Sequence, residues 1–241
     1  MKVLEKVLKD RKCLVFLDLE ATQFTHEVIE IGAYKTLLRD DGTIKKVFKP
    51  FKSYVKAKSK VGKYVTELTG ITDAKLAKEG VAFRVALQSF KKYVGKDFNK
   101  CLFVTFSDSD KNIFLASSDN NLDANREDAL LVIHHMWDYC KFIHQFIQTE
   151  IGNPYSLVNY LKLFNVPFDG KAHDAAADAY NLIKLYKAFY EKKDIVEKEY
   201  QLTITRNNKM PAPILKLMRR IAEGETVSSE DLKKEISECL K

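Results

Sequence analysis

Short apolar runs separated by turn signals occupy the first part of the chain and predict the strands of a sheet. Five runs are rich in apolar residues and are predicted to be strands: 13–18, 27–34, 43–55, 101–106 and 130–134. The turn signal Asp40-Asp41-Gly42 predicts a hairpin, so the second and third strands should pair antiparallel. The run 101–106 is almost entirely apolar, which is typical of a central strand. The pattern therefore predicts a mixed sheet in an α/β protein.

Apolar residues at helical spacing alternate with these strands and dominate the second half of the chain. Helices are predicted at 81–94, around 113–115, and at 139–147, 156–164, 174–193 and 211–221, with a last helix ending at Leu240. Thr72 is a candidate N-cap after the turn Leu68–Asp73, and Ser228 or Ser229 caps the last helix.

The segments between these elements complete the predicted organisation. Residues 117–128 read as a polar loop, and Gln201–Thr205 is compatible with a further strand. The character of the sequence changes near Glu197. We therefore expect one domain at 1–196 and a mostly helical C-terminal extension at 197–241.

The composition is that of an ordinary globular protein, with 46% hydrophobic and 30% charged residues. No apolar stretch approaches the ~20 residues of a membrane span, and the first residues lack the apolar core of a signal peptide. The four cysteines, Cys13, Cys101, Cys140 and Cys239, form no Cys-x-x-Cys pair. We expect reduced thiols in a cytoplasmic protein, with no membrane partner, no disulfide framework and no zinc site.

Positive charge is concentrated in one stretch of the chain. The net charge is +7, and residues 43–66 hold eight lysines and no acid, with Phe48, Phe51, Tyr54 and Tyr64 interleaved. Such a run is either a solvated face or a basic wall that contacts phosphates and offers aromatic rings for stacking. The excess of positive charge suits an anionic partner such as nucleic acid.

Two carboxylates interrupt the first predicted strand at its far end. Asp18 and Glu20 alternate with Leu17 and Leu19, so at strand spacing both side chains point to the same face. Two neighbouring carboxylates repel each other, and a divalent cation is the common way to stabilise them. The alternative is that the strand ends at Leu17 and both acids lie in a solvated loop.

Three later residues supply the groups that such a metal site would need. Asp110 follows the apolar strand 101–106; Asp108 in the same loop is its rival, and Phe114 favours Asp110. Asp174 is a natural N-cap, which leaves His173 in the loop and Asp178 in the first turn of the helix among alanines. A carboxylate on a buried helix face requires a partner. The pair His134-His135 points to opposite faces of its predicted strand and cannot chelate one metal.

Together these elements resemble the DEDDh family of 3′–5′ exonucleases, which have the ribonuclease H-like fold. The resemblance covers about residues 12–192 and rests on five elements in order: Asp18-Leu19-Glu20-Ala21-Thr22, Val28-Ile29-Glu30-Ile31-Gly32-Ala33, Leu68-Thr69-Gly70-Ile71-Thr72, Asp110 with Phe114, and His173 through Asp178-Ala179. The chain is most similar to the Eri-type and sporulation-inhibitor-type branch through residues 104–110 and Ser156-Leu157. Ser107 stands where that branch usually has Gly.

The resemblance implies a fold, a reaction and a role for each residue. The fold is a mixed five-stranded sheet, its first three strands antiparallel and the rest parallel, flanked by helices. The activity is the release of nucleoside monophosphates from the 3′ end of RNA or single-stranded DNA with two Mg²⁺ or Mn²⁺ ions. The implied roles are metal ligation by Asp18, Glu20, Asp110 and Asp178, general base catalysis by His173, and nucleotide binding by Ala21, Thr22, Thr69 and Gly70.

Two other functions compete with this one. The chain could be a catalytically silent protein that keeps the fold and binds nucleic acid, although the complete set of acids and His173 argues against this. It could also be a proofreading-type subunit that docks on a protein partner through residues 197–241. The alternative for that segment is packing on the protein's own surface.

Overall fold

The computed structural model describes residues 2–206 and 210–240. The chain forms two compact units, one of Met1–Lys141 with Leu157–Glu191 and the other of Phe142–Ser156 with Lys192–Lys241. The strands are β1 (Cys13–Ala21), β2 (Val28–Leu38), β3 (Ile44–Val47), β4 (Phe51–Tyr54), β5 (Leu102–Thr105) and β6 (Met136–Asp138). The helices are α1 (Lys2–Leu8), α2 (Lys63–Thr69), α3 (Asp73–Glu79), α4 (Phe83–Val94), α5 (Ser109–Asn120), α6 (Arg126–His134), α7 (Tyr139–His144), α8 (Leu157–Leu163), α9 (Ala175–Glu191), α10 (Lys193–Thr205), α11 (Ala212–Ala222) and α12 (Ser229–Cys239).

The larger unit is built on a mixed sheet with the order β3-β2-β1-β5-β6, in which β4 also pairs with β2. β2 runs antiparallel to β1, β3 and β4, whereas β5 and β6 are parallel to their neighbours. The predicted antiparallel and parallel pairings are thus confirmed. The predicted third strand at 43–55 is broken into β3 and β4. The break falls before Pro50, which has no amide proton to donate to a ladder.

The predicted strand at Leu130–His134 is wrong, because these residues lie in α6. The side chain of Asn125 caps this helix by accepting a hydrogen bond from the backbone N–H of Asp128 at 2.9 Å. Ala129, Val132 and Ile133 are buried at helical spacing. The last strand of the sheet is β6, just beyond the helix, so the predicted arrangement of His134 and His135 on a strand is also wrong. The predicted polar loop shortens accordingly, since α5 continues to Asn120.

The register between β1 and β5 pairs Leu14 with Leu102 and so places the two preceding cysteines side by side. The Cα atoms of Cys13 and Cys101 are 4.9 Å apart, within the range that a disulfide spans, and the structure joins their sulfurs. The expectation of four reduced thiols is therefore wrong for this pair. Cys140 and Cys239 are free thiols.

The smaller unit is helical among its described residues. The predicted strand at Gln201–Thr205 is wrong, since these residues complete α10. Thr203 faces inward there and donates a hydrogen bond to the carbonyl of Phe146 at 3.0 Å, while the ring of Phe146 contacts that of Tyr200. Ser228, one of the two predicted caps, forms a capping box with Asp231 at the start of α12. Within the described residues, we find no helix long and apolar enough to cross a membrane.

Candidate active site

The carboxyl-terminal part of β1 places two acids on one face of the sheet. Asp18 lies opposite Gly32 of β2, and Glu20 lies opposite Glu30. Both acids are half-buried, and β1 continues to Ala21, so the alternative that they lie in a solvated loop is excluded. The strand therefore holds both carboxylates at a defined spacing.

Asp110 reaches the same edge of the sheet from the first turn of α5. Its side chain is 5% exposed, and its Oδ1 atom accepts a hydrogen bond from the backbone N–H of Leu19 at 3.2 Å. Its rival Asp108 is exposed at the start of the helix. The buried ring of Phe114, one turn later, packs against Phe83 and fixes the helix. Of the two acids in this loop, the structure thus brings Asp110 to β1.

The start of α9 carries the remaining two residues. Asp174 caps the helix by accepting a hydrogen bond from Ala177 N–H at 3.1 Å, as the sequence predicts. Asp178 is half-buried in the first turn, and its Oδ2 atom accepts a hydrogen bond from the backbone N–H of His173 at 2.9 Å. His173 is exposed and adopts a left-handed conformation with φ of 63°, a strained geometry often found at functional sites.

Gly32 makes this arrangement possible, and sequence reasoning had given it no role. A Cβ atom at position 32 would lie 2.1 Å from the backbone carbonyl carbon of Ala175. Any side chain there would push the start of α9 away from the sheet. Because Gly32 lies opposite Asp18, the close approach brings Asp178 towards the carboxylates of β1. The sequence element Ile31-Gly32-Ala33 contains this signal, but only the packing of α9 explains it.

Side chains from β1 and α9 converge on one point. The potential ligand atoms of Glu20, His173 and Asp178 all lie within 4.8 Å of one another. Asp18 and Asp110 border this group, since the charges of Asp110, Asp178 and Glu20 all act on Asp18. The structure therefore gathers all five predicted catalytic residues at one edge of the sheet.

The electrostatics of this carboxylate cluster favour a cation. Burial, reinforced by the charge of Asp178, raises the pKa of Glu20 to about 8. Burial also raises the pKa of Asp110 to about 7, although the hydrogen bond from Leu19 opposes the shift. The pKa of Asp18 is raised well above its usual range by burial and by the charge of Asp110. A divalent ion would relieve this repulsion, and carboxylate oxygens are the ligands that Mg²⁺ and Mn²⁺ prefer.

A partly exposed lysine pairs with two acids beside the site, and the sequence did not reveal it. The Nζ atom of Lys52 lies 2.8 Å from Oε1 of Glu30 and 2.5 Å from Oδ2 of Asp174. These two acids hold the lysine's proton and keep its pKa well above the usual value, although burial alone would lower it. Lys52 thus ties β2 to the cap of α9 and neutralises an acid next to Glu20. Lys52 lies opposite Gly32 because β4 pairs with β2. The sequence does not show this pairing, because the predicted third strand is broken into β3 and β4.

The four predicted nucleotide-binding residues lie where two elements end, Ala21 and Thr22 at the end of β1 and Thr69 and Gly70 at the end of α2. Thr22 is buried, and its hydroxyl accepts a hydrogen bond from Glu27 N–H at 2.9 Å, so its side chain has a structural partner. Ala21 ends β1 beside it. The hydroxyl of Thr69 donates to the Val65 carbonyl at 2.8 Å.

Gly70 ends α2 in a left-handed conformation and is exposed. A Cβ atom at Gly70 would lie 3.6 Å from Nζ of Lys171, which places this turn beside the loop of His173. The turn is therefore open to a ligand that approaches the cluster.

Comparisons with known proteins agree with the fold. A family profile described as Exonuclease (RNase_T) matches residues 15–186. Cell-death related nuclease 4 (CRN-4) has a similar structure, with 19% identity and a TM-score of 0.59, over 76% of this chain and 64% of that one. The nuclease domain of 3′hExo, a DEDDh family member bound to rAMP, aligns at 16% identity and a TM-score of 0.60, over 76% of this chain and 94% of that one.

Escherichia coli Exonuclease I in complex with a dA16 oligonucleotide aligns at 16% identity and a TM-score of 0.55, over 81% of this chain and 44% of that one. This chain thus covers less than two thirds of CRN-4 and less than half of Exonuclease I. Among curated proteins, no sequence matches significantly. The likeness confirms the expected ribonuclease H-like fold, and the closer relation to the Eri-type branch stays a prediction.

Proposed function

Since the chain belongs to the exonuclease family over residues 15–186, we propose that it is a metal-dependent 3′–5′ exonuclease that hydrolyses the terminal phosphodiester bond of a nucleic acid. The observation that carries this proposal is the carboxylate cluster. Ligand atoms of Glu20, His173 and Asp178 converge within 4.8 Å, and the half-buried Asp18 and the buried Asp110 flank them. In the part of the chain that the structure describes, no lysine or arginine forms an ion pair with these acids, and such a group fits a reaction that brings divalent ions to a phosphate.

Each acid has a position suited to holding an ion. In the proposed site Asp18, Glu20, Asp110 and Asp178 would hold two divalent ions, with Asp18 contributing to both, Glu20 and Asp178 to one, and Asp110 to the other. When bound, the ions would supply Lewis-acid stabilisation of the attacking and leaving oxygens of the phosphodiester. The hydrogen bond from Leu19 N–H fixes the carboxylate of Asp110, and the one from His173 N–H fixes that of Asp178.

His173 is the proposed general base, which accepts the proton of the attacking water. Its imidazole is exposed at the margin of the cluster, close to the oxygens of Glu20 and Asp178. A histidine titrates near neutral pH, which suits proton transfer under physiological conditions. The backbone of Ala21 and Thr22 and the turn Thr69-Gly70 would receive the terminal nucleotide and its 3′-hydroxyl, because Gly70 presents no side chain to block its approach.

The substrate in this proposal is RNA or single-stranded DNA. Related folds hold rAMP in 3′hExo and a dA16 oligonucleotide in Exonuclease I. Two further expectations stay predictions: that the protein is cytoplasmic, and that residues 197–241 either dock on a protein partner or pack on the protein itself. The proposed domain boundary near residue 196 also stays a prediction.

A labelled oligonucleotide tests the activity directly. With Mg²⁺ or Mn²⁺, a single strand labelled at its 5′ end should yield a ladder of products shortened from the 3′ end, with release of nucleoside 5′-monophosphates. Chelation by EDTA should stop the reaction. Matched RNA and DNA, single- and double-stranded, would define the preferred substrate. Release of the labelled 5′ nucleotide as the first product, before any shortened strand, or no cleavage with any divalent ion, would contradict the proposal.

A further inference from the structure

The lysine-rich stretch divides into two groups that lie at opposite ends of the sheet. Lys46 of β3 pairs with Leu37 of β2, which lies opposite Cys13 at the amino end of β1. Tyr54 of β4 pairs with Glu30, which lies opposite Glu20 at the other end. At ~3.4 Å per residue, the two ends of this ladder are about 24 Å apart. Apart from Lys52, which contacts Glu30, the lysines of this stretch that can lie near the carboxylate cluster are those that follow Tyr54.

The second group of lysines surrounds a cavity of about 370 Å³, which we call the lysine pocket. Its lining consists of the loop Lys56-Ala57-Lys58-Ser59-Lys60 together with Asp73, Leu76 and Ala77 of α3. The volume is within the usual range of ligand pockets. The pocket thus combines a cationic rim with a small apolar floor.

The backbone of the lysine pocket is fixed by two acids. The buried carboxylate of Glu27 accepts hydrogen bonds from Lys58 N–H at 2.9 Å and Ser59 N–H at 3.2 Å. Oδ1 of Asp73 accepts one from Val61 N–H at 3.0 Å. These bonds use main-chain donors, so they order the loop and leave its ammonium groups facing solvent. A preorganised loop loses little entropy when it binds a ligand.

The ammonium groups themselves are only weakly engaged. Across residues 2–206 and 210–240, Lys56 has no ion pair or side-chain hydrogen bond. Lys60 lies 3.6 Å from Asp73 in an exposed pair, which contributes little in water. Lys58 donates to the carbonyl of Asn120. The three lysines are therefore opposed by two nearby acids, Asp73 and Glu27, and the carboxylate of Glu27 is occupied by main-chain donors. Their ammonium groups remain available to an anion.

The lysine pocket is joined to the proposed active site by the end of β1. The backbone N–H of Gln23, which follows Thr22, donates to the carbonyl of Val61 at 2.9 Å. The side chain of Gln23 accepts a hydrogen bond from Tyr64 N–H at 3.2 Å. The chain that carries Glu20 thus runs directly to the rim of the lysine pocket. When the 3′ end of a polynucleotide lies at the carboxylates, the phosphates of its preceding nucleotides must lie on the surface beside the cluster.

We propose that the lysine pocket binds backbone phosphates of the substrate strand on the 5′ side of its terminal nucleotide. This inference rests on the proposed exonuclease function and adds a subsite to it. The pocket would hold a long substrate and would be left empty by a dinucleotide. Lys45, Lys46 and Lys49, at the far end of the sheet, would contribute no contact.

Two triple variants with the same change in charge test the proposal. The pocket variant is Lys56→Gln, Lys58→Gln and Lys60→Gln, and the matched control is Lys45→Gln, Lys46→Gln and Lys49→Gln. Thermal unfolding first checks that both are folded. kcat/KM is then measured on a single strand of about 12 nucleotides and on a dinucleotide, between ~50 and ~200 mM salt. Anisotropy of the labelled strand in EDTA gives the affinity without cleavage.

We expect the pocket variant to lose about 10-fold or more in kcat/KM and in affinity on the long strand at low salt. Its salt slope should fall by up to about 2, since each lost phosphate contact removes ~0.7 from the slope for a single strand. Cleavage of the dinucleotide should be unchanged, and the control variant should match the wild type throughout.

Two results would overturn the inference: equal losses in both variants, which indicate a nonspecific charge effect, or an equal loss on the dinucleotide, which places the lysines at the reaction itself. If the wild type cleaves nothing, the exonuclease proposal fails. The anisotropy comparison still decides whether the lysine pocket binds the strand.

Discussion

Glu20 is half-buried and Glu27 is buried on one short stretch of chain, yet their carboxylates have different surroundings. Burial would raise the pKa of Glu27, but hydrogen bonds from Ser59, Lys58 and Thr25 outweigh it and lower that pKa below the usual value. Among the described residues, the carboxylate of Glu20 has no such donor, and burial and neighbouring acids raise its pKa to about 8. The protein itself supplies hydrogen-bond donors to Glu27, the structural acid. The charge of Glu20 has to be compensated by a group from outside the protein.

Glu30 is an intermediate case that supports the same interpretation. It lies opposite Glu20 on the neighbouring strand, and it has its own cation, Lys52, at 2.8 Å. The lysine run could have neutralised the whole cluster, since β4 passes beside it. The fold uses one lysine for Glu30 and directs the following ones into the lysine pocket. Within the described residues, Asp18, Glu20, Asp110 and Asp178 thereby lack a lysine or arginine partner, which suits the proposed binding of divalent ions.

Replacing Glu20 should give the largest effect on activity. Glu20→Gln keeps the size of the side chain but removes the charge of a proposed metal ligand. Lewis-acid stabilisation of several kcal/mol depends on such ligands, so we expect about 10²- to 10³-fold loss of kcat. The metal-free variant should be at least as stable as the wild type, because one source of repulsion is gone. A variant with full kcat at saturating Mg²⁺ would remove Glu20 from the site.

The same replacement at Glu27 should have the opposite outcome. Glu27→Gln places an amide N–H₂ group against donors that need an acceptor, and buried charged hydrogen bonds contribute about 1.5–3 kcal/mol each. We expect the free energy of unfolding to fall by about 2–3 kcal/mol, measured by urea denaturation. The rate on a dinucleotide should stay near that of the wild type. Lost activity with unchanged stability would reverse the roles assigned to the two glutamates.

The smallest expected effect is a dependence of stability on pH in the metal-free protein. The folded-state pKa values of Glu20, about 8, and Asp110, about 7, lie above those of an unfolded chain, so the folded protein holds more protons. Their stabilising contribution is complete below about pH 4 and is lost as the pH rises through about 7 to 8.

Urea denaturation in EDTA from about pH 5 to about pH 8 should therefore show a decline that is shallower in Glu20→Gln. Saturating Mg²⁺ should reduce the decline in the wild type, because it binds the ionised form. A wild-type stability that rises with pH relative to Glu20→Gln would show that the carboxylates of the cluster are not destabilised in the fold.

Local patterns in the sequence predicted the elements whose signal is self-contained. The caps Thr72, Asp174 and Ser228 were predicted from residue type and position, and the structure places each at the start of its helix. The carboxylates of β1 were predicted to share a face because strand geometry alone decides it. The errors fell where two periodicities compete, as in α6 and α10, where short runs with β-branched residues resembled strands. Both segments are helical because, in a helix, their buried residues pack against the rest of the fold.

Patterns in the sequence did not predict which residues distant in the chain lie next to each other in the fold. The alignment of Cys13 with Cys101, of Lys52 with Glu30, and of Gly32 with the start of α9 depends on strand register and on the approach of a helix. No local pattern encodes such a distance. The division of the lysines into two distant groups follows from the same register.

The sequence by itself determined which groups can perform the proposed chemistry: four acids and a histidine, each at the end of a strand or the start of a helix. This is so because residue type and local spacing fix charge, side-chain direction and capping. Only the tertiary structure decided which charges remain uncompensated, because neutralisation depends on partners that are distant in the chain. That distinction separates Glu20 from Glu27 and Glu30, and it makes the carboxylate cluster the place where we propose that a cation binds.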